Sequence, residues 1–92
     1  SKGAIYALTR GASVELAEYG IRCNCVAPGS TDTPMNGEVS RARFPNYTAP
    51  KLSIPRMADP MEIANVACFL ASDDASYVTG EVYFAVGGWG TK

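Results

Sequence analysis

The sequence predicts an α/β fold in which two parallel strands are joined by a helical crossover. Residues 1–19 and 59–72 show the three- and four-residue periodicity of helices, and they precede short apolar runs at residues 21–27 and 81–86. Two strands that flank a crossover helix in one sheet are normally parallel. The chain of 92 residues is therefore predicted to fold as helix, strand, long loop, helix and strand within one small domain.

Composition and charge restrict the classes of function. The chain is 47% hydrophobic and 18% charged, with a formal net charge of -1, which is a globular composition without a basic surface for nucleic acid or anionic membranes. No apolar run approaches the roughly 20 residues of a membrane span. The first residue is Ser, so we expect the natural N-terminus to be absent, together with any targeting segment. We expect a cytoplasmic protein without nucleic-acid or membrane partners.

Three cysteines and no histidine limit the chemistry. A structural zinc ion would need about four ligands, usually Cys or His, and the odd number of cysteines argues against a disulfide framework. Without histidine, Ser-His-Asp and Cys-His nucleophile systems are excluded. We therefore expect no metal site, and we expect Cys23, Cys25 and Cys68 to be small buried thiols.

The first predicted helix is apolar on two faces. The larger apolar residues that recur at helical spacing are Ile5, Leu8, Ala12, Leu16 and Tyr19. The small residues of the second face are Ala4, Ala7, Gly11 and Val14. A helix that is apolar on two faces is usually covered on both sides. We expect the sheet on one side and a partner helix on the other, with Gly20 as the C-terminal cap.

The first predicted strand ends in a turn rich in hydroxyl groups. Residues 21–27 are nearly all apolar, as in a parallel strand covered on both faces, and the amide of Asn24 is expected to bond neighbouring backbone rather than a ligand. Pro28 fixes φ, and Gly29 admits unusual backbone angles. Ligands of open α/β sheets bind at the carboxyl ends of strands. Pro-Gly alone would favour an ordinary turn; the motifs described below favour a binding turn.

Residues 34–58 form the least regular part of the chain, with four prolines and several basic residues. A loop of this length without evident structure is usually functional or disordered. Its scattered apolar residues favour a lid or a substrate loop over a plain linker.

The second half of the chain has a clear helix start. Asp59 is the predicted N-cap, Pro60 fits the first helical position, and Glu62 completes a capping box. The predicted buried stripe comprises Ile63, Val66, Ala67 and Leu70. Two strands and two helices are too few to bury strands this apolar. We therefore expect the chain to be the C-terminal part of a larger α/β domain, or to fold only with partners.

Taken together, these features resemble the C-terminal third of a short-chain dehydrogenase/reductase. The matching motifs, in order, are residues 1–4 (the end of the Tyr-x-x-x-Lys motif), 20–24 with 28–29, 33–35, 56–64, 69–73 and 77–80. The resemblance implies a Rossmann-like, doubly wound parallel sheet. Residues 1–92 would be the C-terminal portion of a single NAD(P)-binding domain, with residues 34–58 as its substrate loop.

The resemblance also implies an activity, the transfer of a hydride between NAD or NADP and a small-molecule alcohol or carbonyl substrate. Lys2 matches the catalytic Lys, which bonds the nicotinamide ribose and lowers the pKa of a catalytic Tyr through its positive charge. That Tyr would lie four positions before Lys2, and the catalytic Ser and the glycine-rich pyrophosphate turn would also lie upstream. The chain alone is therefore expected to be inactive.

The remaining site residues follow from the same resemblance. Pro28, Gly29, Thr31 and Thr33 would border the nicotinamide, through the backbone of Gly29 and Thr31 and the hydroxyl of Thr33. The candidate substrate contacts in the loop, each equally compatible with simple packing, are Met35, Phe44 and Tyr47.

The resemblance also has implications for assembly, and the sequence departs from the family pattern at one position. The resemblance implies a homo-oligomer, a dimer or tetramer, with contacts from the small-faced helix and the final strand. Val86 stands where many members have Asp before Gly-Gly, and a changed packing or assembly is expected there. The alternative function is a non-catalytic cofactor-binding or oligomerisation module of the same fold.

Overall fold

A computed structural model of the chain describes residues 2–32 and 52–88. Within these ranges the elements are two helices and two strands in alternation, namely α1 (Lys2–Leu16), β1 (Cys25–Pro28), α2 (Pro60–Ala71) and β2 (Val82–Ala85). The strands pair in parallel, with Cys25 opposite Val82 and Pro28 opposite Ala85. The predicted α/β class and the parallel pairing are confirmed. No helix in the described ranges has the length and apolarity to cross a membrane.

Helix α1 ends close to the predicted position. Its last residues tighten into a 3-10 turn at Ala17–Tyr19, and Gly20 follows in the left-handed region with a φ of 71°. The Gly20 N–H donates to the Ala17 carbonyl at 3.0 Å. Glycine adopts this conformation without the steric cost that a Cβ would add, so Gly20 is the predicted C-terminal cap.

The face of α1 that is buried within the chain differs from the prediction. The buried residues are Thr9 and Ser13, whereas Leu8 and Val14 are 71% and 76% exposed. Both buried hydroxyls donate to carbonyls of the preceding turn, Thr9 to Ile5 at 2.8 Å and Ser13 to Arg10 at 2.7 Å. Because their polar groups are paired inside the helix, these short side chains can be buried without an unsatisfied donor.

The close contact between Gly80 and Ser13 explains why both positions carry small residues. A Cβ at Gly80 would lie 2.8 Å from the Ser13 hydroxyl oxygen, and Gly80 has a φ of 72°. The loop that leads into β2 therefore passes directly over Ser13. Further along, Tyr6 meets Phe84 edge to face, with ring centroids 5.9 Å apart. Together these contacts hold α1 against the sheet.

Asn24 extends the parallel ladder beyond the strands. Its side-chain oxygen accepts a hydrogen bond from the Glu81 N–H at 3.1 Å, and its amide nitrogen donates to the Val78 carbonyl at 2.9 Å. The next ladder bond runs from the Cys25 N–H to the Glu81 carbonyl at 2.9 Å. The expected structural role of Asn24 is therefore confirmed. Strand β1 begins four residues later than the predicted run because side chains interrupt the regular ladder here, although the Gly80 N–H still donates to the Cys23 carbonyl at 2.8 Å.

Arg22 closes the end of α2, a role that was not predicted. Its guanidinium donates to the carbonyls of Leu70 at 2.7 Å and Ser72 at 3.1 Å. The last carbonyls of a helix lack intrahelical donors and carry the negative end of the helix dipole, so a cation is favourable there. Arg22 and Asn24 thereby connect β1 to the segment between α2 and β2.

The start of α2 matches the prediction in detail. The Asp59 carboxylate accepts from the Met61 N–H at 2.8 Å, and the Glu62 carboxylate accepts from the Asp59 N–H at 2.9 Å. Arg56 adds a two-point ion pair to Glu62, with nitrogen–oxygen distances of 2.7 and 3.0 Å. The hydrogen bond from Arg56, followed by that from the Asp59 backbone, lowers the pKa of Glu62 to about 2.

The core of the described part of the chain is small. Its buried hydrophobic residues are Leu52, Leu70 and Ala75. The buried thiols expected from the sequence are not found: Cys23 and Cys25 are only half-buried and Cys68 is exposed. No described layer covers the outer sides of α1 and α2, so side chains patterned for burial face solvent. This agrees with the expectation that two helices and two strands are too few to cover such a sheet.

We expect the isolated 92-residue chain to lack a cooperative thermal transition. So few buried apolar side chains cannot offset the conformational entropy lost on folding. Circular dichroism at 222 nm against temperature should give a broad, nearly linear change, whereas a full-length form of the protein should give a sigmoidal one. A sharp sigmoidal melt of the isolated chain would contradict the expectation.

We expect the contribution of Glu62 to stability to disappear at low pH. The folded-state pKa of Glu62 is depressed to about 2, from the 4.5 of a free Glu side chain. The contribution is therefore fully present above about pH 4.5 and is lost as the pH falls towards 2. In a full-length form, the difference in melting temperature between wild type and Glu62→Gln should be constant near neutral pH and shrink in that acid window. Glu15→Gln, which removes an exposed carboxylate from α1, is the matched control; a pH-independent difference for Glu62→Gln would contradict the assignment.

Candidate functional site

An open groove of about 1000 Å³ lies at the carboxyl ends of the two strands. It brings together four residues that the sequence singled out: Lys2, Pro28, Gly29 and Thr31. Its other described lining residues are Ser30, Leu52, Pro60, Ile63, Ala64 and Val86. Thr33, Met35, Phe44 and Tyr47 lie outside the described residues, and their roles stay predictions.

Lys2 reaches the groove because of the direction of α1. It is the first residue of the helix and lies on the same face as Tyr6, Thr9 and Ser13, at successive four-, three- and four-residue steps. Ser13 contacts the loop before β2, so α1 runs antiparallel to the strands and its start lies at their carboxyl ends. Among the described residues that line the groove, Lys2 is the only charged one. Its ammonium group offers three hydrogen-bond donors to a ligand.

Pro28 is compatible with the ladder because of the strand register. The Cys25 N–H donates to the Glu81 carbonyl and the Gly29 N–H donates to the Ala85 carbonyl, each at 2.9 Å, so the odd-numbered positions of this segment bond towards β2. In a parallel ladder the N–H and C=O of alternate residues point to opposite edges of the strand. Position 28 therefore needs no N–H towards β2, and proline ends the strand without removing a bond to β2.

Gly29 is required for close approach rather than for an unusual backbone angle. Its φ is not in the left-handed region, so the prediction that Gly29 adopts an unusual backbone angle is wrong. A Cβ at this position would lie 3.0 Å from the Cα and 3.3 Å from the Cβ of Val86. The turn after β1 thus passes directly against the residue that follows β2. Because the Gly29 N–H already bonds Ala85, it is not an available donor for a ligand.

The backbone N–H and C=O of Thr31 face away from the hydrogen bonds that this turn makes with Ala58. The Ser30 carbonyl accepts from the Ala58 N–H at 2.9 Å, and the Asp32 N–H donates to the Ala58 carbonyl at 2.8 Å. The N–H and C=O of Thr31 lie between these bonds and point to the opposite edge. In residues 2–32 and 52–88 they have no backbone partner. The Thr31 hydroxyl is buried and donates to the Gly29 carbonyl at 3.0 Å, which fixes the shape of the turn.

Six of the ten described lining residues were not predicted as part of the site, among them Leu52, Ile63 and Val86. Leu52 precedes α2, Ile63 lies near the start of that helix, and Val86 follows β2. The sequence marked Val86 only as a departure from a family pattern, and it placed Leu52 in an irregular loop. Their positions at the groove depend on contacts between segments that are distant in sequence, which no local pattern reports.

The arrangement of a parallel sheet, helices packed against it and a groove at the carboxyl ends of the strands is that of Rossmann-like α/β proteins. A family model described as "Enoyl-(Acyl carrier protein) reductase" matches residues 1–90. The chain belongs to the short-chain dehydrogenase/reductase family of oxidoreductases.

Two relatives show how much of such a protein the chain represents. It is 43% identical over 89 residues to the uncharacterized oxidoreductase YmfI of Bacillus subtilis, covering 97% of this chain and 36% of that protein. It is 40% identical over 94 residues to dehydrogenase/reductase SDR family member 6 of Aquarana catesbeiana, covering 97% of this chain and 38% of that protein. The chain thus spans somewhat more than a third of the length of these relatives.

Solved structures give the same fold. A 3-oxoacyl-(acyl-carrier protein) reductase with bound NAD from Brucella melitensis is 35% identical, with a TM-score of 0.80 over 96% of this chain and 31% of that chain. YwfH, an NADPH-dependent reductase involved in bacilysin biosynthesis, is 29% identical, with a TM-score of 0.83 over 94% of this chain and 36% of that chain.

We expect Gly29→Ala to destabilise a full-length form of the protein. The new methyl group would overlap the backbone of Val86, which cannot move without shifting β2, so the cost should be about 1–3 kcal/mol. Chemical denaturation followed by fluorescence gives the change in the free energy of unfolding. Ser30→Ala, at the adjacent exposed position, is the control and should cost less than about 0.5 kcal/mol. Equal stabilities of the two variants would show that the contact of Gly29 with Val86 does not limit the size of the residue at position 29.

Proposed function

We propose that the full-length protein is an NAD- or NADP-dependent oxidoreductase acting on an alcohol or carbonyl group, and that the groove holds the nicotinamide end of the cofactor. The observation that carries the proposal is the meeting of Lys2 with the Pro28–Thr31 turn at the carboxyl ends of two parallel strands. Membership of an oxidoreductase family, with one similar protein binding NAD and another dependent on NADPH, supports it.

The described residues fit a nicotinamide and its ribose. A carboxamide needs both a donor and an acceptor, and the N–H and C=O of Thr31 supply both at one edge of the turn. Ribose hydroxyls need donors, and the Lys2 ammonium supplies them. The groove walls between them are mostly apolar, as binding sites for flat rings usually are. Thr33 is proposed as an additional contact to the carboxamide or to a phosphate.

The chemistry of the proposed reaction divides between the cofactor and the protein. When bound, the nicotinamide ring supplies or accepts the hydride. Lys2 orients the ribose and places a positive charge at the edge of the groove. That charge favours the ionised form of a nearby phenol, which would make a Tyr beside it an effective general acid/base. We propose that this Tyr belongs to the part of the protein upstream of residue 1.

An assembly of identical subunits is proposed together with the activity. Leu8 and Val14 on the outer side of α1 are more than two-thirds exposed. Single exposed apolar residues are ordinary, but several on one helix mark a contact surface. We propose that α1 takes part in a homo-oligomer, a dimer or tetramer.

We expect Lys2→Met to abolish most of the activity of a full-length form. Removing the charge raises the pKa of the phenol beside it and removes the ribose donors, so kcat should fall by at least about a hundredfold. Oxidation of NADH or NADPH in the presence of an aldehyde, followed at 340 nm, measures this. Lys2→Arg keeps the charge and should retain more activity, with an altered pH profile.

The matched control for charge removal is Arg10→Met, which removes an exposed cation from the same helix outside the groove. Its kcat should stay within about twofold of wild type. An equal loss in both variants would assign the effect to the stability of α1 instead of the site. Tight binding of NADH or NADPH without turnover would support the alternative, a non-catalytic cofactor-binding module.

A further inference from the structure

A smaller apolar space adjoins the groove. This side chamber has a volume of about 260 Å³, and its walls include Leu52, Ile54, Ile63, Phe84 and Val86. The groove and the side chamber share Ser30, Leu52, Ile63 and Val86 as lining residues, so they adjoin along these residues. A ligand in the groove therefore lies next to an apolar recess on the β2 side of the site.

Backbone hydrogen bonds hold the walls of the side chamber in place. The Ile54 N–H donates to the Gly87 carbonyl at 2.9 Å, and the Ala58 N–H donates to the Ser30 carbonyl at 2.9 Å. Gly87 has a φ of 62°, and a Cβ there would lie 3.3 Å from the Ile54 carbonyl oxygen. The segment that carries Leu52 and Ile54 is thus tied both to the end of β2 and to the turn after β1. A recess built in this way is preformed, which lowers the entropic cost of binding.

The charges at the side chamber indicate what it can accept. Arg56 and Glu62 are the charged residues among its described lining, and they neutralise each other in their two-point ion pair. An anionic group would have to compete with Glu62 for the guanidinium. The remaining side-chain walls are mostly aliphatic or aromatic. The chamber therefore favours an uncharged apolar group.

We propose that the side chamber binds the apolar substituent of the substrate, whose carbonyl or alcohol group is held in the groove beside Lys2. The proposal rests on the proposed oxidoreductase function and names its substrate class: aldehydes, ketones or alcohols with an alkyl or similar apolar tail. The chamber lies below the volumes of about 300–1000 Å³ that hold a whole drug-sized ligand. It suits one substituent of a larger molecule, and Val86 lines both spaces.

The test is a chain-length series on a full-length form of the protein. Propanal, hexanal and decanal are reduced with NADH or NADPH, and kcat/KM is measured for each. For the wild type, kcat/KM should rise by roughly fourfold for each methylene that enters the chamber. Ile54→Trp fills the chamber from a position that lines it but not the groove. This variant should lower the ratio of kcat/KM for hexanal to that for propanal by more than about tenfold.

Two further variants make the result interpretable. Tyr77→Trp adds bulk at a fully exposed site away from both spaces and should leave the hexanal-to-propanal ratio unchanged. Ile54→Ala enlarges the chamber, so decanal should gain relative to hexanal; it tests the proposal even where Ile54→Trp fails to fold.

The outcomes separate this proposal from the proposed function. A wild type that reduces all three aldehydes with equal kcat/KM, or Ile54 variants with the wild-type ratios, would overturn the chamber while leaving the oxidoreductase function intact. A protein that reduces none of the aldehydes and oxidises none of the corresponding alcohols with either nicotinamide would overturn both.

Discussion

The parallel pairing of β1 with β2 is the constraint on which the rest of the described structure depends. This pairing brings the Pro28–Thr31 turn and Val86 together at the carboxyl ends of the strands, where Gly29 allows the two backbones to come into contact. The other end of the same ladder is held by side-chain and backbone bonds together. Asn24 bonds Glu81 and Val78 through its side chain, and the Gly80 N–H donates to the Cys23 carbonyl at 2.8 Å.

The described part of the chain exposes large apolar side chains. A parallel sheet needs a covering layer on each face, and two helices provide only part of that cover. The large apolar side chains of Met61 and Phe69 on α2 are 63% and 42% exposed. The relatives are nearly three times as long as the chain, which agrees with additional layers and strands in the complete fold. The proposed catalytic Tyr and the rest of the cofactor site would lie on those layers.

The start of α2 and the end of α1 agree with the sequence predictions because their causes are local. Asp59, Pro60 and Glu62 form the predicted helix start, and Gly20 ends α1, since caps depend on residues within a single turn. The buried face of α1 and the role of Gly29 were read wrongly. Thr9 and Ser13 are polar by type but satisfied inside their helix, and the partner that crowds Gly29 is 57 positions away.

By itself the sequence determined the order of the elements, their parallel pairing and the presence of Lys2 and a Pro-Gly turn in a recognisable family pattern. Periodicity, capping and short motifs are local signals, and they are sufficient for the order of the elements and for the motifs. The parallel direction of the strands follows from the helical crossover between them. Only the tertiary structure decided that Lys2 and Thr31 share one groove, that Thr31 rather than Gly29 has backbone groups facing away from the ladder, and that Val86 lines both the groove and a side chamber. These features depend on the register and direction of elements packed together from distant parts of the chain.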